Sequence, residues 1–326
     1  MRAILGRLAI CAAAAVVLAL LPFTLSGLNQ VLAARVALYF IAILGLNIVT
    51  GYTGQISIGH GAFMAIGGYT TAIMSADHHT NLIATLPLSF AIAFGCGVVV
   101  GLPASRLSGV YLALATLALA VSIPQLTLKF SHFTGARNGI SVDGTVGYLW
   151  LYGVSWACAA ILFVVAWLVL RGRTGRAFRA VRDSEVAAAS SGVSLVLYKT
   201  LAFGISAAFA GVAGSLFVLA TNGYAQPDEF SIFLSLYILI GAAVAGLGSL
   251  WGVMGGAAFV ALLPNISQSA PLIRSIPVGG QDIAAGLVVV LVMLLLPTGL
   301  AGLLQRMALA ASALRRRSGI PTAERG

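Results

Sequence analysis

The chain has 326 residues, of which 60% are hydrophobic and only 8% are charged, and it carries a formal net charge of +10. Soluble domains usually have about 25% charged residues, and a soluble fold of this length lacks the interior to bury so much apolar surface. Composition therefore excludes a soluble protein and predicts a polytopic membrane protein. Because the basic residues lie in short segments between apolar runs, their pattern indicates membrane orientation and argues against a nucleic-acid partner.

Ten apolar runs are long enough to cross the roughly 30 Å hydrocarbon layer of a bilayer. Backbone hydrogen bonds must close within each segment in lipid, and the alternation of an outer-membrane barrel is missing. We therefore predict an all-α fold with about ten transmembrane helices. Glycine clusters blur the third run and the boundary between the eighth and ninth. The runs cover residues 8–26, 31–49, 59–76, 82–103, 108–127, 146–170, 200–220, 231–249, 252–270 and 281–300.

The distribution of charge predicts that both the N-terminus and the C-terminus lie in the cytoplasm. With ten alternating spans, 14 of the 18 basic residues fall on the cytoplasmic side, as the positive-inside rule requires. The first run follows Arg2 and Arg7 and resembles a secretory signal. It is long and has no small-x-small cleavage site, so we expect a retained helix. The basic residues left outside are Arg35, Lys129, Arg137 and Arg274.

A glycine-rich, polar segment at residues 47–61 interrupts two apolar runs and predicts a broken helix near residues 50–61. Irregular backbone at membrane depth is tolerated where protein or a water-filled cavity covers it, and broken helices often line transport paths. The alternative is a tight loop whose small residues serve helix packing. His60 by itself fits a packing histidine better than a ligand or a proton relay. The candidate pathway residues are Asn47, Gln55, Ser57 and His60.

The longest polar break, residues 171–199, predicts a cytoplasmic amphipathic helix. Phe178, Val181, Glu185 and Ala188 recur at helical spacing, and Gly192 is a plausible C-terminal stop. A structured, charged loop suits docking of a soluble partner, whereas a basic anchor on anionic lipid is the alternative. The candidate docking residues are Arg176, Arg179, Arg182, Asp183, Glu185 and Gly192.

No catalytic, metal or cofactor site is predicted in the sequence. Lys199-Thr200 follows Tyr198 rather than glycine, so the phosphate-binding loop of an ATPase is absent, and any ATP must be bound by another chain. The isolated cysteines suit membrane packing. A turn-rich segment at residues 130–140 predicts an external loop or a contact for an external partner. The acidic residues Asp143, Asp228, Glu229 and Asp282 fall in outside loops or at span ends, which argues against an ion-driven carrier.

Six motifs in order, within about residues 35–304, are similar to those of the LivM-type permeases of branched-chain amino-acid ABC importers. The first runs from Leu44 through Thr50-Gly51-Tyr52-Thr53-Gly54-Gln55 to Phe63, and the second runs from Tyr111 to Ala118. The third is Thr134-Gly135-Ala136-Arg137-Asn138-Gly139-Ile140. The fourth is the loop from Gly175 to Gly192 with the following runs 198–207 and 210–214. The last two are residues 246–252 and 297–302.

The resemblance implies a translocation subunit that works in an assembly. Its expected partners are a homologous LivH-type permease, two cytoplasmic ATPase subunits, an external solute-binding protein and membrane lipid. The loop 171–199 would be the element that couples to the ATPases. The superfamily's Glu-Ala-Ala…Gly motif occurs there loosely, as Glu185-Val186-Ala187-Ala188 and Gly192, with one extra residue in the spacing.

The resemblance implies import of leucine, isoleucine and valine across the inner membrane. The same machine for urea, short amides or other amino acids is an alternative, and a secondary carrier without an ATPase or a membrane scaffold is a more distant one. We expect residues 1–304 to form the permease domain and residues 305–326 to form a basic, disordered cytoplasmic tail.

Overall fold

The computed structural model of the chain describes residues 26–78, 80–142, 146–221 and 223–269, together with Pro22, Gly286, Gly299 and Gly302. The predicted spans 8–26 and 281–300 and the predicted tail 305–326 lie outside the described residues, apart from Pro22, Ser26, Gly286 and Gly299. All helices, strands and contacts given for the fold belong to the described residues.

The fold consists of helices joined by short connections, as the apolar runs predict. The long helices are α1 (Gly27–Leu46), α2 (His60–His78), α3 (Leu82–Ala104), α4 (Gly109–Lys129), α6 (Tyr148–Arg171), α9 (Leu195–Ala220), α10 (Ile232–Ala245) and α11 (Gly252–Ser269). The short helices are α5 (Ser131–Thr134), α7 (Arg173–Asp183) and α8 (Glu185–Ser190), with 3-10 turns at Ala136–Asn138 and Pro227–Phe230. Strands β1 (Ile140–Ser141) and β2 (Tyr224–Ala225) pair antiparallel, with Ile140 opposite Ala225.

Six helical segments among the described residues are long and apolar enough to cross a membrane: Gly27–Tyr52, Leu82–Ala104, Gly109–Lys129, Tyr148–Arg171, Leu195–Ala220 and Pro227–Ala245. They coincide with six of the predicted runs. The predicted third run forms α2 but lies outside this set, because its glycines and polar residues lower its hydropathy. The ninth forms a shorter apolar helix over Gly252–Asn265. The predicted end of the eighth run at residue 249 is wrong, because α10 ends at Ala245 and Gly246 adopts a φ of +88°.

The predicted break between the second and third runs is present but shorter than expected. Helix α1 continues directly into a π-helix, Asn47–Tyr52, which we call the π turn. Residues 53–59 are then non-helical, and α2 begins at His60. Residues 53–59 are called the broken segment below. The helix therefore extends three residues, 50–52, into the stretch where the glycines predicted irregular backbone.

Helix α9 lies at the centre of the fold. It is the most buried of the candidate spans: 83% of its apolar stretch is buried inside the fold, whereas the value for α4 is only 17%. Small residues let its neighbours approach closely, as in other membrane helix pairs. Gly67 of α2 lies against the backbone of Gly211, and Gly97 of α3 lies against Phe203 and Gly204 of α9. This packing fixes the side chains of α9 relative to the start of α2.

Contacts between elements define two ends of the helical array. At one end, Arg182 of α7 contacts the π turn, and Gly101 of α3 packs against Thr200 of α9. We call this the basic end, because it carries Arg106, Lys199 and the arginines of residues 171–182. The opposite end holds the small β1–β2 sheet and the contact of Gly27 with Tyr148. The described basic loops that were predicted to lie on one side of a membrane therefore share one end of the fold.

The single amphipathic helix predicted within residues 171–199 is wrong, because the segment forms two helices. Ser184 adopts an extended conformation between α7 and α8, and its hydroxyl accepts a hydrogen bond from Ala187 N–H, which caps α8. An N-cap serine followed by an acidic residue is a local start signal for a second helix. Phe178 and Val181 of α7 and Ala188 of α8 are buried as predicted, whereas Glu185, predicted to share their face, is exposed.

Candidate functional site

Asn47, the first residue of the π turn, is buried and joins it to the connection between α10 and α11. Its side-chain Nδ2 donates to the carbonyl of Ser249 at 2.9 Å, and its Oδ1 accepts from the N–H of Gly248 at 2.7 Å. Both ends of the amide are thus used by backbone groups about two hundred positions along the chain. In this conformation Asn47 clamps two elements together, and its predicted role in lining a pathway stays a prediction.

The broken segment leaves the π turn through a compact set of hydrogen bonds. Thr50 Oγ1 donates to the carbonyl of Gln55 at 3.0 Å, and the N–H of Gln55 donates to the carbonyl of Val49 at 3.1 Å. The side chain of Gln55 is buried, and its Nε2 donates to Thr53 Oγ1 at 2.8 Å. Its Oε1 has no hydrogen-bond partner. Gln55 therefore carries an unused buried acceptor, which suits a group that a solute or a water molecule can contact.

His60, the first residue of α2, is buried and bonds to the central helix α9. Its Nε2 lies 2.8 Å from Ser206 Oγ, and Ser206 Oγ donates to the carbonyl of Gly45 at 2.7 Å. Because the single hydroxyl proton of Ser206 is used on that carbonyl, Nε2 must be the protonated nitrogen that donates to Ser206. Nδ1 is then an acceptor, and it has no partner. His60 thus fits the predicted packing histidine at one nitrogen and leaves the other available.

Hydroxyl groups on two further helices hold the end of the broken segment and the start of α2. The N–H of Ile58 donates to Thr116 Oγ1 of α4 at 2.9 Å, and the N–H of Gly61 donates to Ser235 Oγ of α10 at 2.8 Å. Ser57 is buried, and its Oγ accepts from the N–H of Gly59 at 3.4 Å. The first N–H groups of α2 thus include one bonded to a serine. In this conformation that N–H is not available to a carboxylate, which a free helix N-terminus could otherwise bind.

Arg182 joins the predicted docking loop to the predicted pathway. Its Nη1 donates to the carbonyl of Gly51 at 2.7 Å, in the last turn of the π-helix. Carbonyls in the last turn of a helix have no N–H partner further along it, and a cation there is favoured by the helix dipole. Two sets of residues that the sequence indicated separately are therefore in contact.

Glu185 has an internal partner, whereas other predicted docking residues face outward. Glu185 Oε2 lies 2.7 Å from Nζ of Lys199, whose side chain is only 3% exposed. This ion pair connects the start of α8 to α9. Arg176, Arg179 and Asp183 are exposed on the surface of α7.

Gly192 ends the helical part of the loop, as predicted. It adopts a φ of +82°, its N–H donates to the carbonyl of Ala189, and the N–H of Val193 donates to the carbonyl of Ala188. A left-handed glycine with hydrogen bonds back into the last turn is a common way for a helix to stop.

Sequence reasoning did not single out Ser206, Ser235 or Thr116 as residues of this site. Each occurs within an apolar helical run, where a hydroxyl usually bonds to its own helix and carries no distinct signal. Their roles depend on which helix face meets the broken segment, and that is set by tertiary packing. The glycine-rich motif at residues 246–252 was noticed in the sequence, but its contact with Asn47 was not.

The described helices define a multi-pass membrane protein, and similarity to known proteins gives its family. The model of the family described as "Branched-chain amino acid transport system / permease component" matches residues 30–297. The chain belongs to this family and is a permease component of a transport system. No solved structure matches the chain.

Relatives support the same assignment. The chain is 31% identical over 310 residues to the high-affinity branched-chain amino acid transport system permease protein LivM of Escherichia coli (strain K12), covering 86% of this chain and 71% of the relative. It is 26% identical over 262 residues to a probable branched-chain amino acid transport permease protein LivM of Methanocaldococcus jannaschii, covering 67% of this chain and 76% of the relative. It is also 26% identical over 209 residues to an autoinducer 2 import system permease protein LsrC of Salmonella paratyphi B, covering 63% of this chain and 59% of the relative.

Proposed function

We propose that this chain is the translocation subunit of an ATP-binding-cassette importer that brings leucine, isoleucine and valine into the cytoplasm. The observation that carries the proposal is the family match over residues 30–297, together with LivM relatives named for branched-chain amino acids. The proposal also draws on the Arg182–Gly51 contact, which connects an exposed basic loop to a broken helix.

The proposed orientation places the basic end in the cytoplasm of a cell whose inner membrane the protein spans. Arg106, Lys199 and the arginines of α7 share that end, and positive charge accumulates on the cytoplasmic side of membrane proteins. Both chain termini would then be cytoplasmic, as the charge pattern of the whole sequence predicts. The exposed face of α7 would be available to cytoplasmic ATPase subunits, which hold the ATP that this chain has no loop to bind.

The proposed mechanism is alternating access in a larger assembly. A LivH-type permease would form the other half of the path, two ATPases would supply closure on ATP binding, and an external solute-binding protein would deliver the amino acid. The broken segment and the start of α2 would line the path through Gln55, Ser57 and His60, with Asn47 beside them. Gln55 and His60 have free buried acceptors, which match the ammonium group of an amino acid better than its carboxylate.

A related solute is the second candidate, and one observation favours considering it. A relative that is 26% identical over 63% of this chain is named for import of autoinducer 2 rather than an amino acid. Permeases similar to this chain are therefore associated with different solutes. Urea, short amides and other amino acids belong to this alternative.

ATP-driven uptake of leucine is the test of the proposed function. The chain would be reconstituted in vesicles with its partner permease, ATPases and binding protein, and uptake of labelled leucine measured with and without ATP. We expect uptake that requires ATP and that excess valine, but not urea, suppresses. Failure to take up leucine in an assembly whose ATPase responds to another loaded binding protein would discard the substrate. Uptake without the ATPases would instead favour a secondary carrier.

Charge reversal at Arg179 tests whether the loop docks the ATPases. Arg179 is exposed on α7, whereas substitution of Glu185 would also leave the buried Lys199 without its partner. We expect Arg179→Glu to lower the affinity of the inserted permease for the ATPases at least about tenfold, because an interfacial charge pair becomes repulsive. Arg106→Glu, which reverses an exposed arginine outside the loop, is the matched control. Equal ATPase affinity for both variants and wild type would support the lipid-anchor alternative.

A further inference from the structure

Two stretches that are distant in sequence from Arg182, residues 51–54 and the connection from α10 to α11, meet at its side chain. Its Nη1 donates to the carbonyl of Gly51 at 2.7 Å. A Cβ built on Gly54 would lie 3.4 Å from its Cγ, and a Cβ built on Gly248 would lie 2.9 Å from Nη1. The side chain thus lies between the π turn, the broken segment and the connection from α10 to α11.

Backbone conformation favours glycine at Gly54 and Gly248, and at Gly248 the available space does so as well. Gly54 has a φ of +73° and Gly248 has a φ of +84°, and side chains are strained in this region. At Gly248 a side chain would also crowd both Nη1 of Arg182 and, at 3.3 Å, the carbonyl of Gly51. The local backbone therefore leaves a space that the arginine occupies.

The π turn is a place where the register of the helix can change. π-Helical turns are rare, carry one residue more than the α-helical path needs and often occur at functional sites. Conversion of such a turn to α-helix shifts the following chain by one residue, which corresponds to about 1.5 Å along the axis and roughly 100° about it. The chain that follows this turn holds Gln55, Ser57 and His60.

The π turn is held at both of its ends by different partners. Asn47 at its start bonds to Gly248 and Ser249. Arg182 bonds to its last turn from α7, and Gly248 adjoins both contacts. Movement of α7 relative to the helices would therefore pull on the end of the turn while its start stays clamped.

We propose that Arg182 passes movement of the cytoplasmic loop to the broken segment by holding the Gly51 carbonyl of the π turn. The inference rests on the proposed function, since the movement would come from the ATPases. Arg182 is a positioning residue in this scheme: it acts on the path through the backbone of Gly51 and touches no solute. Arg182 acts on the end of the π turn, and this role is separate from any contact that α7 makes with an ATPase.

The coupling ratio tests this role in the complete reconstituted assembly. We expect Arg182→Gln to insert in the membrane, and because Arg182 is also a candidate docking residue, uptake is expressed per ATP hydrolysed so that weaker ATPase docking does not count. Leucine taken up per ATP hydrolysed should fall about tenfold, the effect of losing one charge-assisted hydrogen bond. Arg182→Lys should recover part of the ratio, because it keeps a charged donor. Arg106→Gln, an exposed arginine outside the loop, should leave the ratio unchanged. An unchanged ratio in Arg182→Gln would overturn the proposal.

Hydrogen exchange in the purified chain separates this inference from the proposed function. We expect Arg182→Gln and Gly248→Ala each to increase exchange of the amides of residues 50–59 about tenfold, with the amides of α9 unaffected. Equal exchange in wild type and Arg182→Gln would overturn the inference even if transport is normal. If exchange rises but the wild-type assembly imports nothing, the proposed function fails and the coupling role fails with it, leaving only a helix cap.

Discussion

Replacing Gly67 by valine should prevent α2 from packing against α9 and destabilise the folded protein more than any other single change described here. A Cβ on Gly67 would overlap the backbone carbonyl of Gly211. A second close approach follows one turn away, where a Cβ on Gly214 would overlap the carbonyl of Met64. The two helices are therefore in backbone contact along one face. Valine at Gly67 can be accommodated only if the helices separate.

The loss of folding stability expected for Gly67→Val can be compared with that of known core substitutions. Overpacking of a core usually costs about 1–3 kcal/mol, because neighbouring side chains change rotamer to make room. Backbone atoms cannot change rotamer, and separating α2 from α9 also removes buried contacts. We therefore expect a loss of more than about 3 kcal/mol, measured as a large drop in the temperature of unfolding in detergent.

Gly95→Val is the matched control for this prediction. Gly95 lies within α3, and a Cβ built there meets nothing within 4 Å. The change of residue type is the same and both positions are helical, so differences in helix propensity largely cancel. We expect Gly95→Val to unfold within a few degrees of wild type. Equal melting temperatures for the two variants would show that α2 and α9 do not approach as closely as described.

Replacing Asn47 by leucine should destabilise the junction between the π turn and the connection to α11. Leucine has nearly the same shape as asparagine but neither donates nor accepts, so the N–H of Gly248 and the carbonyl of Ser249 lose their side-chain partners. An unpaired buried polar group costs about 1–3 kcal/mol. Gly248 and Ser249 are half-buried, so water can partly replace the lost partner. We therefore expect the free energy of unfolding, measured by chemical or thermal denaturation, to fall by about 2–4 kcal/mol.

Asn138→Leu controls for the change of residue type, because Asn138 is exposed in the turn before β1. Exposed substitutions usually alter stability by no more than about 0.5 kcal/mol.

Measuring both stability and uptake for Asn47→Leu also distinguishes two roles for Asn47. If Asn47→Leu unfolds like wild type but abolishes uptake, the residue lines the pathway and its clamp is unimportant. A loss of stability in the isolated chain would establish the clamp independently of transport.

The sequence was sufficient for features that depend on local composition and period. Apolar runs of about 20 residues span lipid as helices, because the backbone must form its hydrogen bonds internally. Six such helices occur where they were predicted among the described residues. The glycines after Tyr52 indicated the break before His60, and Gly192 indicated the end of α8. Family membership followed from short motifs in order. Ser184 carried a local signal for two helices in the loop, but the continuous apolar face masked it.

Tertiary structure alone decided which of these local features meet. Asn47 bonds to residues about two hundred positions away, Arg182 to Gly51, and His60 to Ser206. Periodicity gives the apolar face of a helix, but in this chain the faces of α9 are nearly uniform in polarity, so composition cannot give its rotation. Rotation is set by glycine contacts such as Gly67 with Gly211. Once the backbones approach there, Ser206 of α9 lies beside the imidazole of His60. This contact depends on the packing of several helices at once, which the sequence of one helix does not determine.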